Sequence, residues 1–171
     1  RPRRLQPNLR IWDMQTAGAC RTTTGDPDQP LSATCLTFDV DWAPEWCIEE
    51  CAALCRKAGV RATFFVTHAS PAVDALKGDP QFELGIHPNF LPNSSHGETA
   101  EQVLETSLAM VPGARCMRTH AVVQSSRLFA LVADCFPSIE TDVSLLLPMH
   151  PDLRPTDLFI GESGRRITRL P

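Results

Sequence analysis

The sequence lacks the features that mark several large classes of protein. No apolar stretch approaches the roughly 18 residues needed to cross a bilayer, and no signal-peptide hydrophobic region is present. We therefore expect no membrane span, although the chain does not begin with Met and a targeting segment could lie upstream. Basic residues do not outnumber acidic ones, and the net charge of −4 argues against bulk nucleic-acid binding.

Pairs of the Cys-x-x-Cys type are also absent, although the chain contains seven cysteines. Cys47, Cys51 and Cys55 recur at every fourth residue and would line one stripe of a helix. Zinc binding by this stripe is the less favoured interpretation, because free Cys usually behaves as a small buried hydrophobe. Unpaired cysteines are typical of a reducing compartment and favour a cytoplasmic location.

The length and composition are those of one globular domain. A chain of 171 residues can bury a sizeable core, and 43% hydrophobic with 21% charged residues is ordinary for a soluble protein. Residues 1–30 have no periodicity and are predicted to form an irregular N-terminal arm. Residues 31–171 are predicted to form a single β/α domain.

From residue 33 onward, strand-like apolar runs alternate with helical patterns. The helical segments begin near Pro44, Pro71, Thr99 and Ser125, and Thr99 with Gln102 forms a capping-box signature. This alternation predicts βαβ units and a parallel sheet of five or six strands, too few for a closed eight-stranded barrel. Beyond residue 148 the sequence is rich in Pro and Arg and shows little pattern.

Two acidic residues at the end of the first apolar run are the most informative feature of the chain. Residues 34–38 suit a buried strand, and Asp39 and Asp41 follow it. In α/β enzymes the carboxyl ends of the strands carry the chemistry. The side-chain period of two would place both carboxylates on one side, where one could hold a cation and the other handle a proton.

Polar residues follow later strands as well, namely His87 with Asn89 and Arg118 with His120. In a parallel sheet such strand ends converge on one edge, so residues distant in sequence become neighbours. Carboxylate and imidazole groups are both good ligands for a divalent ion such as zinc. The joint pattern therefore predicts a metal site that includes His87.

Three segments together resemble successive elements of the NodB-type polysaccharide deacetylases: TFDVD at 37–41, ATFFV at 62–66 and ELGIH at 83–87. Arg118 fits the Arg-containing element that follows them. HPNFLP at 87–92 and the segment from Arg118 to Arg127 are closest to the WbmS-like branch, which is associated with bacterial surface-polysaccharide gene clusters. The resemblance covers roughly residues 34–148.

This resemblance implies a metal-dependent hydrolase on an incomplete, TIM-like β/α barrel that ends before its relatives do. It would remove N- or O-acetyl groups from a carbohydrate during surface-polysaccharide biosynthesis. Asp39 matches the family's general base and Arg118 the residue that orients it, while Asp41 and His87 match metal ligands. The implied cofactor is a divalent cation, first of all zinc, with Mn, Co and Ni as alternatives.

The chain also departs from the family pattern. The second metal-binding His usually follows the first by four residues, but that position is Leu91. His96 in the following loop and His120 after another strand are rival third ligands, with Asn89 or water as further alternatives. His150 is the only candidate for the late His that serves as general acid.

Three other functions remain as alternatives. A haloacid-dehalogenase-type phosphatase needs a downstream Lys, and Lys57 and Lys77, the only lysines, lie in helix or loop contexts. A nucleotide-sugar glycosyltransferase needs a nucleotide-binding strand before the acidic pair. A non-catalytic carbohydrate-binding or scaffold protein on a degenerate deacetylase fold would explain the missing second His.

Trp42 could stack on a sugar or shelter the helix start, whereas packing is favoured for Trp46.

Overall fold

A computed structural model of the protein describes residues 10–12, 33–146 and 155–171. Numbered along the chain, its strands are β1 (Arg10–Trp12), β2 (Ala33–Cys35), β3 (Thr37–Asp39), β4 (Ala62–Val66), β5 (Phe82–Ile86), β6 (Cys116–Met117), β7 (Thr141–Asp142), β8 (Thr156–Ile160) and β9 (Arg165–Arg169). Its helices are α1 (Glu45–Ala58), α2 (Pro71–Asp74), α3 (Ala100–Met110) and α4 (Ser126–Cys135), with a short 3-10 helix at His120–Val122.

Seven strands form one open sheet in the order β3-β4-β5-β6-β7-β9-β8. The first six of these run parallel, and β8 lies antiparallel to β9 at the far edge. Within the described residues β3 and β8 are edge strands, so the sheet does not close on itself. The predicted α/β fold with an incomplete barrel is therefore confirmed, with one or two strands more than expected.

Two of the helices begin with the N-terminal capping residues that the sequence predicts. The Thr99 side chain accepts a hydrogen bond from the backbone amide of Gln102 at 3.2 Å, and the Gln102 side chain accepts one from the backbone amide of Thr99, which completes the predicted capping box. Ser125 caps α4 in a similar way through the amide of Leu128. Pro44 is the residue before α1 rather than its first helical residue.

The core lies between the helices and the sheet. β4 is buried along its whole length because it is flanked by β3 and β5 and covered on its faces, as a near-continuous apolar strand should be. On α1 the buried residues are Ile48, Ala52 and Cys55, whereas Leu54 is 54% exposed. In the described part of the chain the α1 cysteines join no cluster of metal-binding atoms, so packing explains them better.

Two segments differ from the sequence-based expectation. The first apolar run is interrupted at Leu36: β2 pairs with β1 in a separate two-stranded sheet, and only β3 joins the main sheet. Residues 10–12, predicted as part of an irregular arm, are therefore a strand. Near the C-terminus, β8 and β9 form a hairpin where no pattern was recognised. No described helix is both long and apolar enough to cross a membrane.

Candidate metal centre

The carboxyl ends of the parallel strands lie level with one another, and this brings the predicted site residues together. Val66 of β4 pairs with Ile86 of β5, and Ile86 pairs with Met117 of β6. The residues immediately after these strands therefore share one edge of the sheet. His87 follows Ile86 and Arg118 follows Met117, which is why both reach the same site.

Asp41 reaches this edge through a turn rather than through the strand pleat. β3 ends at Asp39, and both Asp41 and Trp42 have left-handed backbone conformations, with φ of 43° and 56°. The Trp42 amide donates a hydrogen bond to Thr67 Oγ1 at 3.0 Å, which fixes the turn to the end of β4. We expected the side-chain alternation of a strand to place Asp39 and Asp41 on one side. That reason was wrong, because Asp41 lies in a turn beyond β3, although both carboxylates do approach His87.

Asp41, His87 and His120 form the cluster that could hold a metal ion among the described residues. Asp41 Oδ1 lies 3.2 Å from His87 Nε2 and 2.9 Å from His120 Nδ1, and the three donor atoms fall within 4.8 Å of one another. A tetrahedral zinc ion with bonds of about 2.0–2.1 Å holds neighbouring donors about 3.3 Å apart. One carboxylate and two imidazoles at these separations fit a divalent transition-metal ion.

The environment of His87 suits a neutral metal ligand. The residue is 2% exposed, and this burial lowers the pKa of the imidazole, outweighing the attraction of the Asp39 and Asp41 carboxylates. A neutral ring keeps a lone pair available for a cation. Its other nitrogen, Nδ1, is buried without a hydrogen-bond partner and lies 3.8 Å from Asp39 Oδ1.

Arg118 holds Asp39 at the edge of the cluster. Its guanidinium donates to Asp39 Oδ1 at 2.9 Å, to Thr37 Oγ1 at 3.0 Å and to the Val143 carbonyl at 3.2 Å. The same group lies 4.7 Å from the centre of the Phe65 ring. Three hydrogen bonds and a stacked ring leave the guanidinium little freedom, so Asp39 is fixed in turn.

Gly85, inside β5, leaves room for the Phe65 ring on which the Arg118 guanidinium stacks. A Cβ on Gly85 would lie 2.7 Å from the Phe65 ring and 2.8 Å from Cys116 Sγ. Both contacts are shorter than side chains tolerate, so any larger residue would displace the ring under Arg118. Phe65, Gly85 and Thr37 are supporting residues that sequence reasoning missed, and the isolated glycine in a strand was the available signal.

A buried polar network supports the backbone between Arg118 and His120. The Thr119 amide donates to Ser144 Oγ at 2.9 Å, and that hydroxyl donates to Asp142 Oδ1 at 2.6 Å. Arg169 Nε donates to Asp142 Oδ2 at 2.9 Å. Burial raises the pKa of the Asp142 carboxyl despite these hydrogen bonds. The network links the ends of β6, β7 and β9.

His96 does not join the cluster, although the sequence offered it as a ligand. Its side chain is buried, Nε2 lies 2.7 Å from the Thr67 carbonyl, and Nδ1 accepts a hydrogen bond from the Asn89 amide at 3.2 Å. With both ring nitrogens engaged by backbone groups, His96 braces the loop after β5. Leu91 is an exposed loop residue, and His150 lies outside the described residues.

The chain is similar to known proteins in both sequence and fold. Residues 36–171 match the family described as WbmS-like polysaccharide deacetylase. A crystal structure of a candidate polysaccharide deacetylase involved in O-antigen biosynthesis, from Bordetella bronchiseptica, is similar at a TM-score of 0.72 and 32% identity. The match covers 86% of this chain but 61% of that one, so this chain spans about three fifths of its length. No curated protein matches the chain.

Proposed function

Because this chain belongs to the WbmS-like family of polysaccharide deacetylases, we propose that it hydrolyses acetyl groups from a carbohydrate with the help of a divalent cation. The single observation that carries the proposal is the Asp41–His87–His120 cluster beside the Asp39–Arg118 pair at the carboxyl edge of the sheet. The phosphatase and glycosyltransferase alternatives gain no support from the family match.

Asp41, His87 and His120 would hold the cation. When bound, a divalent ion of this kind supplies Lewis-acid chemistry, which favours negative charge on the oxygen of a reacting carbonyl. Zinc is the ion we favour, because a mixed carboxylate and imidazole donor set is common for it. Mn, Co and Ni remain alternatives.

Asp39 would act as the general base. With Oδ1 engaged by Arg118, the other carboxylate oxygen, Oδ2, is the one that can accept a proton from an attacking water. That water adds to the acetyl carbonyl carbon, and the bond from this carbon to nitrogen or oxygen then breaks. Arg118 contributes by holding the base in place, and its neighbours Thr37 and Val143 hold Arg118.

The leaving nitrogen or oxygen must receive a proton as the bond breaks. The sequence offers His150 for this role, and that assignment stays a prediction. The substrate we propose is an acetylated sugar of a bacterial surface polysaccharide, in keeping with the O-antigen role ascribed to the similar protein from Bordetella bronchiseptica. The cytoplasmic location also stays a prediction.

The missing second His was one reason for the non-catalytic alternative, and His120 offers a third donor in its place. Two substitutions separate the roles of the site. Asp41→Ala should abolish tight binding of zinc to the purified protein, measured by metal analysis after dialysis. Asp39→Asn should keep the bound metal but lower acetate release from N-acetylated oligosaccharides by about 100-fold or more, the usual contribution of a general base.

Acetate release that is unchanged in Asp39→Asn would contradict the proposed mechanism. A protein that binds oligosaccharide equally well with and without chelator, and that releases no acetate, would favour the carbohydrate-binding module instead.

A further inference from the structure

We propose that Trp42 is a sugar-stacking residue that holds the pyranose ring bearing the acetyl group beside the cluster of Asp41, His87 and His120. This inference rests on the proposed function, because it names how the same site would recognise its substrate. Aromatic side chains combine a large apolar face with low conformational freedom, which suits the flat apolar face of a sugar ring.

The position of the indole is the first observation. Its ring centroid lies 5.4 Å from that of His120, in an edge-to-face arrangement with an interplanar angle of 81°. On another side it lies 5.8 Å from the ring of His96. The indole therefore forms one side of the candidate metal centre, and 42% of the residue remains exposed.

The backbone of Trp42 is the second observation. A positive φ of 56° is uncommon for any residue with a side chain and is disfavoured most for a bulky one. Its amide hydrogen bond to Thr67 Oγ1 holds this conformation in place. Core packing does not account for a bulky residue here, because Trp42 is an exposed residue. Strained residues of this kind gather at functional sites.

His96 explains how the indole stays in place. This buried ring is tied to the Thr67 carbonyl and the Asn89 amide, so it connects the loops after β4 and β5. Trp42 packs against it while its own amide binds Thr67. The residue that the sequence offered as a metal ligand thus serves as support for the proposed sugar-stacking residue.

Trp46 provides a matched comparison within the same segment. It is 67% exposed, lies in α1 with ordinary helical geometry, and makes no aromatic ring contact in the described part of the chain. The expectation that Trp46 packs was therefore wrong. Exposure alone does not distinguish the two tryptophans, whereas contact with the metal centre does.

The test compares Trp42→Ala, Trp42→Gly and Trp46→Ala in the metal-loaded protein, with a β-1,4-linked N-acetylglucosamine tetramer as the probe. Binding is measured by calorimetry, and KM and kcat by acetate release. Stacking of a ring on an aromatic side chain is worth about tenfold in affinity or more. Both Trp42 variants should therefore weaken binding and raise KM by about tenfold, while Trp46→Ala changes neither.

Trp42→Gly separates the ring from the backbone, since glycine adopts the left-handed conformation without strain. Equal losses in the Ala and Gly variants with unchanged metal content support stacking, and recovery in the Gly variant would overturn it. Wild-type binding that Trp42→Ala leaves intact, or no binding by the wild type, would also overturn it. If the wild type binds the tetramer but releases no acetate, and Trp42→Ala loses binding, the proposed function fails and this inference stands.

Discussion

At the scale of single residues, two histidines compete for the role of third metal ligand, and their surroundings separate them. His120 Nδ1 points at the Asp41 carboxylate, whereas both nitrogens of His96 face backbone groups. We predict that His120→Ala weakens zinc binding by about 10-fold or more, since it removes one of three protein ligands. Titration with a competing chromophoric chelator measures the change in dissociation constant.

His96→Ala is the matched variant for this prediction. It should keep the affinity for zinc within about threefold and instead lower the melting temperature, because it leaves buried backbone groups without their partner. Zinc affinity that falls in His96→Ala and is retained in His120→Ala would reverse the assignment of the two residues.

Arg118 is the residue whose loss should affect the chemistry without affecting the metal. A lysine in its place has one ammonium group and cannot serve Asp39, Thr37 and the Val143 carbonyl together. We predict that Arg118→Lys lowers kcat/KM for acetate release by about 100-fold, within the range expected when a catalytic group is misplaced. Metal content, measured on the same samples, should stay at the wild-type level.

Arg115→Lys is the control for Arg118→Lys. Arg115 lies three residues before Arg118, ahead of β6, and forms an exposed ion pair with Glu140, and such pairs contribute little. A loss of activity in Arg118→Lys that is matched by an equal loss of bound metal would show that Arg118 only maintains the fold.

At the scale of secondary-structure elements, the β8–β9 hairpin is fastened to α4 by one carboxylate. Asp134 accepts hydrogen bonds from the amides of Ser163 at 2.9 Å and Glu162 at 3.0 Å. Gly161, with φ of 81°, allows the turn to close over the Asp134 carboxylate, since a Cβ at this position would clash with it. These hydrogen bonds, first those from Ser163, lower the pKa of Asp134.

The lowered pKa of Asp134 predicts a pH dependence of stability. Because the folded-state pKa lies below the unfolded value of about 3.9, the stabilisation is present above about pH 4 and is lost as the pH falls through the folded pKa. The free energy of unfolding lost on Asp134→Asn should therefore be larger at pH 6 than at pH 3, measured by urea denaturation. Glu105→Gln, at an exposed site on α3, is the matched control. A loss that is the same at both pH values would contradict this role.

Elements with strong local signals were predictable from the sequence. The ATFFV run of β4 and the capping box of α3 were both found where expected. A strand buried on both faces has a continuous apolar sequence, and a capped helix has recognisable residue types at its start. The hairpin was missed because β8 is mostly exposed and alternation there is weak. The site was predicted in part: Asp41 and His87 could be placed at a strand end, but His120 depends on how β6 and its following turn lie against β3, which no local pattern records.

At the scale of the whole molecule, the candidate metal centre joins distant parts of the chain. Asp41 and His120 are 79 residues apart in sequence, and His87 follows β5, which lies between β3 and β6 in the sheet. The unfolded chain cannot keep these three donors together, so a cation that binds them stabilises only the folded protein. The metal should therefore contribute to stability as well as to catalysis.

We predict that zinc at 100 times its dissociation constant stabilises the folded chain by about 2.7 kcal/mol. For a protein of this size that corresponds to a rise of roughly 5–10 °C in melting temperature, which a chelator should reverse. Asp41→Ala should have lost this response while Glu105→Gln retains it, because only the first removes a donor atom. Scanning calorimetry with and without zinc measures the effect. A wild-type melting temperature that does not respond to zinc, manganese, cobalt or nickel would mean that the cluster holds no cation, and the proposed hydrolase would lose its physical basis.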